Sequence, residues 1–214
     1  MKITKFPQSC LLIETKGKKV LVDPGNLKYQ EEYFKIWNGV DAILITHKHQ
    51  DHCYVEVLEK IDEKIRLYSS SEVKNAHPTL KINVVKEGDI FGVGDIKVEV
   101  VHAEHGYIPP MKTGAKVIEN IGYILDDGQN RIYITSDTIC FQNEYRCDIL
   151  CVPVSDFGVT MGAFEASLFA KEANAKLHAD NPKYPVNFKF VEEMFEKQEI
   201  EYEILENEET IEVE

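Results

Sequence analysis

The chain has 214 residues, 43% of them hydrophobic and 29% charged, enough for one large domain with a buried core. Its net charge of −13 disfavours a broad nucleic-acid or anionic-membrane surface, because such binding depends on clustered Lys and Arg. Apolar runs such as DAILI and DILCVPV fall far short of the ~20 residues of a membrane span, and MKITKFPQSCLLIE lacks a signal peptide's basic head and long apolar stretch, so a cytoplasmic protein is expected.

Strand-like segments come first: Cys10–Glu14, a GKK turn, then Val20–Asp23 closing at Pro24–Gly25. Residues 26–39 read as a loop or short helix, whose aromatics (Tyr29, Tyr33, Phe34, Trp37) serve either packing or a rim over a site. Asp41–Thr46 is a continuous apolar run of strand length, as expected of a strand buried on both faces. Val55, Leu58 and Ile61 recur at helical spacing, Ile65–Tyr68 is a short strand, and Ser71 caps a short helix. Strands are expected at Lys81–Val85 and Ile96–His102, and, after a loop with Pro109, Pro110 and Gly114, at Ile121–Leu125, Arg131–Ser136 and Ile149–Val154. Ala163–Ala173, with Phe164, Leu168 and Phe169 on one stripe, and Phe188–Glu196 read as helices. The acidic C-terminal run EKQEIEYEILENEETIEVE alternates charged and apolar residues, which predicts two half-buried strands with a solvated face. In each half antiparallel strands precede helices interleaved with buried strands. That order predicts two sheets packed together with helices outside, in one α/β domain over 1–214.

The five cysteines form no CxxC pair, and an odd count suits reduced thiols. Cys10, Cys140 and Cys151 lie in or beside apolar runs and read as small core residues, whereas Cys53 directly follows a histidine cluster and either packs or touches a site.

That cluster, ITHKHQDH at 45–52, begins where the apolar run 41–46 stops. His47 and His49, just past a strand end, can point to one side of an extended loop, while Asp51 and His52 fall where the chain turns into a helix. Imidazole with carboxylate suits zinc, iron or manganese, and the mixture is typical of catalytic rather than structural sites. Further ligands must come from distant sequence. Asp137 in IYITSDT and His105 in VVHAEHG stand at or just past strand ends; His178 in KLHADNP and His102 remain, and His77 precedes Pro78 in a turn.

THKHQDH matches the HxHxDH motif of the metallo-β-lactamase-fold hydrolases, and the chain resembles that superfamily over nearly its whole length. QSCLLIETKGKKVLVDPG is similar to the opening hairpin, NIGYILDDGQNRIYITSDT to the segment with the bridging aspartate, and VPVSDFGVTMGAFEA to a stretch in the branch containing the ascorbate-phosphate lactonase. The resemblance implies a four-layer αβ/βα sandwich with the site at one edge between the sheets. It implies His47, His49 and His105 at a first metal, Asp51, His52 and His178 at a second, Asp137 bridging both, and Asp23 orienting a ligand from behind. Two divalent ions are implied, zinc first, with manganese or iron as alternatives. The reaction implied is hydrolysis by a hydroxide shared between the metals, with His49, Asp51 and Asp137 as the catalytic set and Asp51 also able to accept a proton. The implied substrate is a small lactone, ester or phosphorylated metabolite. A phosphodiesterase or nuclease of the same fold, and a non-catalytic metal-binding or sensing protein, are the competing readings. This chain departs from its relatives in three places: KEANAKLHAD passes from helix to His178 almost at once, Ser136 replaces a glycine, and Gln8 stands where some lactonase relatives carry histidine.

Overall fold

The computed structural model describes residues 1–108, 116–155, 158–173 and 186–213, and the backbone of 176–179. Its strands are β1 (Lys2–Lys5), β2 (Leu11–Thr15), β3 (Lys18–Val22), β4 (Ala42–Leu44), β5 (Arg66–Ser69), β6 (Ile82–Val84), β7 (Ile90–Val93), β8 (Ile96–His102), β9 (Ile121–Asp126), β10 (Arg131–Ile134), β11 (Ile149–Val152), β12 (Lys176–Ala179), β13 (Tyr202–Ile204) and β14 (Thr210–Glu212). The helices are α1 (Glu31–Trp37), α2 (Val55–Leu58), α3 (Ser71–Ala76), α4 (Ala163–Ala173) and α5 (Phe188–Lys197).

One seven-stranded sheet has the order β14-β1-β2-β3-β4-β5-β6, the other β13-β12-β11-β10-β9-β8-β7. Each is antiparallel on one side and parallel on the other. The changeover falls at β3 in the first sheet and at β10 in the second.

Alternation along the strands sorts the core into layers. Leu11, Ile13, Val20 and Val22 face the second sheet and pack with Val98, Tyr123, Leu125, Ile132 and Ile149. The intervening Leu12 and Leu21 face outward, where Tyr33, Trp37, Val57 and Val73 of the first three helices cover them. On the far side Ile124, Tyr133 and Leu150 pack against Ala166, Phe169, Val191 and Phe195 of α4 and α5. Three apolar clusters separating two sheets and two helical faces make the expected αβ/βα sandwich. Tyr123 fastens the sheets together: its buried hydroxyl lies 3.0 Å from the carbonyl of Ile45 and 3.3 Å from that of Tyr68.

Several local expectations need correcting. β1 and β7 were not anticipated, because KITK and IFGV show too little alternation to stand out, and β7 bears a glycine. The first hairpin turns at Lys16–Gly17, both with positive φ (50° and 70°), so the lysines of GKK already belong to β3. Ser70 caps α3 through the amide of Val73, while Ser71 bonds Glu119 instead. The spacing of Val55, Leu58 and Ile61 yields a single helical turn that stops before Ile61. Tyr33 and Trp37 are buried, so these α1 aromatics pack against Phe6 and not over the site. Cys140 is exposed, contrary to the core reading, whereas Cys10 and Cys151 are buried as expected. The C-terminal strands are half-buried as read, and β14 closes the first sheet by pairing with β1. The 109–114 loop, with Pro109, Pro110 and Gly114, lies outside the described residues. Among the described residues no helix is long and apolar enough to cross a membrane.

Candidate metal centre

The ends of β3, β4, β8 and β10 meet at one edge of the sandwich, and the chain leaves each through a polar loop. Beyond β4 comes the histidine cluster, beyond β8 His105, beyond β10 Asp137, and beyond β3 Asp23. Ring nitrogens of His47, His49 and His105 lie within 4.8 Å of one another, and the ligand atoms of His47, His52 and Asp137 form a second such group. His47 belongs to both. Five residues named from the sequence thus come together: His47, His49, His52, His105 and Asp137.

The hydrogen bonds behind the rings fix which nitrogen faces inward. Asp23 is fully buried and accepts from Thr46 N (2.7 Å), from Thr46 Oγ1 (2.7 Å) and from His52 Nδ1 (2.9 Å). With Nδ1–H committed to Asp23, a neutral His52 presents the lone pair of Nε2. The same logic reaches His47, whose Nδ1 lies 3.1 Å from Thr46 Oγ1 and 3.3 Å from Ser136 Oγ. Thr46 spends its hydroxyl proton on Asp23, and Ser136 spends its own on Asn120 Oδ1 (3.1 Å). Asn120 is oriented in turn by its Nδ2 bond to the carbonyl of Asp137 (2.8 Å). Both hydroxyls can therefore only accept from His47 Nδ1–H, and its Nε2 is left bare. His105 donates Nδ1–H to the carbonyl of Gly106 (2.7 Å), again freeing Nε2. His47 Nε2 faces His49 Nδ1 at 3.2 Å, a pair that can share one proton or one cation.

The nitrogens of His52 and His105 so aimed are buried and have no hydrogen-bond partner. Asp137 Oδ2 lies 3.4 Å from His52 Nε2, but not aligned for a hydrogen bond. Buried polar atoms are normally satisfied, and two that converge with other nitrogen donors fit a bound cation. The electrostatics agree. Burial, and then the neighbouring imidazoles, hold His47 well below its ordinary range, so it is neutral. Burial also holds His105 down. Burial works against charge on His52 too, but the carboxylates of Asp137 and Asp23 override it and raise it well above the usual value. Asp137 is lowered by those imidazoles despite its own burial. Without a metal, the charge of the site draws a proton onto His52.

Two close approaches hold the loops. A Cβ on Gly25 would lie 1.8 Å from the carbonyl oxygen of Asp51, and one on Gly106 would lie 2.4 Å from that of Gly158. Ser136 has φ +69°, which accounts for the glycine its relatives use there, and its hydroxyl is put to work on His47 and Asn120.

Other candidates fare differently. Asp51 lies outside both groups, and its Oδ2 meets the amide Nε2 of Gln8 at 3.4 Å. Residue 178 is the third residue of β12, paired with Cys151 and Glu203, so only two strand residues precede it and the passage from α4 is as short as the sequence implied; the side chain of His178 lies outside the described residues. His102 bonds Glu87 and Glu104 at the surface, and His77 meets the carbonyl of Lys48. Cys53 is buried in the apolar layer under α1 and α2, where burial pushes its thiol up to about 12; this residue packs. Sequence reading did not pick out Thr46 and Asn120. The signal available was a polar residue at the boundary of each of two apolar stretches, Thr46 closing one and Asn120 opening the other.

Comparison with known proteins places this arrangement. Residues 2–179 match the family described as the beta-lactamase superfamily domain. Protein Rv0786c of Mycobacterium tuberculosis is 31% identical over 72% of this chain and 72% of its own length. A UPF0173 metal-dependent hydrolase of Bacillus cereus is 31% identical over 82% of each chain. Among solved structures, the metallo-beta-lactamase fold protein YhfI from Bacillus subtilis superposes with a TM-score of 0.77 at 18% identity, covering 98% of each chain. The match over most of the length, the layered architecture and the histidine cluster at the sheet edge agree: this chain belongs to the beta-lactamase superfamily and has the metallo-β-lactamase fold.

Proposed function

We propose that the cluster is a binuclear metal centre and that the chain is a metal-dependent hydrolase acting on a small lactone, ester or phosphorylated metabolite. The observation that carries this reading is the convergence of two buried, unbonded Nε2 atoms, on His52 and His105, with His47, His49 and Asp137. The Bacillus relative, named a metal-dependent hydrolase, supports it. His47, His49 and His105 would hold one ion, Asp51, His52 and His178 the other, with Asp137 between them. Zinc is favoured, and manganese or iron would accept the same donors. Divalent ions bound there supply Lewis acidity and lower the pKa of water from 15.7 towards ~7.

The chain's own residues prepare that chemistry. Asp23 keeps a proton on His52 Nδ1 and, through Thr46, one on His47 Nδ1, so both rings offer Nε2 outward. The Gly106 carbonyl does the same for His105. A net charge of −13 argues against a nucleic-acid substrate and for a small one drawn by the local charge of the ions.

Metal content per chain and hydrolysis of a lactone, carboxyl ester and phosphodiester panel test the proposal together. Wild type is expected to hold near two metals. His49→Ala and Asp137→Ala should each lower hydrolysis by about 10²-fold or more, the range for losing a positioned electrostatic group, with little change in melting temperature. Unchanged hydrolysis in both well-folded variants would refute the mechanism. Two metals without turnover on any substrate would favour a binding or sensing protein.

A further inference from the structure

The loop joining β1 to β2 combines features that a simple hairpin does not need. Lys5 is only 1% exposed, and its ammonium donates to the carbonyls of Phe6 and Gln8. Gln8 holds φ +62°, a left-handed conformation that a residue of its type seldom adopts unaided. The loop is closed by Phe6 N donating to Cys10 O at 2.8 Å. A buried ammonium is costly unless hydrogen-bonded, and here its bonds go to the backbone of the strained residue and a near neighbour. Lys5 therefore holds Gln8 in place. From that fixed backbone the carboxamide Nε2 reaches Asp51 Oδ2 at 3.4 Å. The backbone of the Asp51 loop is held separately: Gly25 packs on it, Asn26 N donates to Gln50 O (2.9 Å), and Tyr54 N donates to Pro24 O (2.9 Å).

We propose that Gln8, pinned by Lys5, is a positioning residue that directs the Asp51 carboxylate towards the second metal. The inference rests on the binuclear reading above. An amide suits this role because it donates to Asp51 without carrying charge, and it does not titrate as an imidazole in its place would.

The test uses the zinc-loaded full chain and follows transfer of zinc to an excess of a chromophoric chelator. Wild type should release two equivalents in separable phases. Gln8→Leu keeps the bulk and removes the donor. It should release one equivalent about 10–100-fold faster, the usual consequence of losing a partner that orients a ligand, and the other at the wild-type rate. Its melting temperature should match wild type. Gln8→His, which restores an N–H donor, should recover most of the retention, and Lys5→Met should reproduce Gln8→Leu. If Lys5→Met fails to fold, the two Gln8 variants decide. Wild-type release in Gln8→Leu, or equal acceleration of both phases, would overturn the positioning role while leaving the binuclear reading intact. A single equivalent from wild type would overturn the binuclear reading, and this inference with it.

Discussion

Asp23 and Asp137 occupy corresponding places in the two sheets. Each lies just beyond the strand where antiparallel pairing gives way to parallel, β3 in the first sheet and β10 in the second. Each is reached through a residue with positive φ, Asp23 itself (+49°) and Ser136 (+69°). Their carboxylates nevertheless do different work on the same imidazole. Asp23 takes the back of His52, 2.9 Å from Nδ1, and is filled by two further donors from Thr46. Asp137 faces the front, 3.4 Å from Nε2, in a direction that leaves the nitrogen unbonded. One carboxylate is saturated by the chain and the other is held open towards the cluster. What separates the two carboxylates is thus hydrogen-bond saturation, not residue type or place in the fold, and it suits Asp23 to the orienting role and Asp137 to the ligand role proposed above.

Breaking the saturated side is the sharpest test of that contrast. Asp23→Asn keeps the shape but loses an acceptor shared by Thr46 and His52, so His47 and His52 should lose their fixed tautomers together. Zinc retention is expected to fall about 10–100-fold. His105 is oriented by a backbone carbonyl, so the same substitution should leave its contribution intact. Equilibrium dialysis against a chelator reads this directly, and unchanged retention would mean that Asp23 only fills space.

The same contrast explains what could be read from the sequence. The first sheet delivers its candidate ligands in one run, because β4 ends and the loop turns within six residues, so ITHKHQDH was legible by itself. The second sheet contributes His105 and Asp137 from separate strand ends; that position made them candidates beside His102 and His178, and the resemblance was needed to assign them to the site. Gln8 stood out only as a departure from lactonase relatives, and Lys5 was less visible still. A lysine at the end of KITK reads as a solvated strand residue, and only the fold shows that its ammonium is buried under the loop. The layers were legible because apolar alternation survives in the central strands. Short strands such as β7 were not, because IFGV shows little alternation and carries a glycine.

A smaller effect is expected where the two sheets are tied together. Tyr123→Phe removes the hydroxyl that crosses from β9 to the carbonyls of Ile45 and Tyr68. Both carbonyls keep another donor: Ser69 Oγ on Ile45 at 2.7 Å and the Ile45 amide on Tyr68 at 2.9 Å. No buried acceptor is stranded, so the cost should stay near the net value of one hydrogen bond, about 1 kcal/mol. For a chain of this size that is a drop of about 2–4 °C in melting temperature. A larger fall accompanied by loss of zinc would mean that this bond also sets the site.

The smallest effect concerns the two ends of β10. At its far end from Asp137, Arg131 places Nη1 2.6 Å from Asp126 Oδ2 and 3.1 Å from Glu99 Oε1, and Lys97 lies 2.8 Å from Glu99. Burial pushes both carboxyls up, but the Gly128 amide on Asp126 and the bonds from Arg131 to both, with Lys97 adding to them, leave each below its ordinary value. A carboxyl lowered in the fold contributes stability above its unfolded pKa, and that stability is lost as pH falls through the folded value. Arg131→Gln should therefore lower stability at neutral pH, and the gap to wild type should close as the solution is acidified below the carboxylate range. The groups are partly exposed, so the gap should be only a few tenths of a kcal/mol to about 1 kcal/mol, and smaller still in high salt. Denaturant midpoints at neutral and acidic pH measure it; a gap that persists or widens in acid would mean that Arg131 acts by packing. At this end of the strand the cation that balances the carboxylates is part of the chain. At the other end no arginine or lysine faces Asp137 among the described contacts, and its charge is met by imidazoles whose bare nitrogens suit a metal ion.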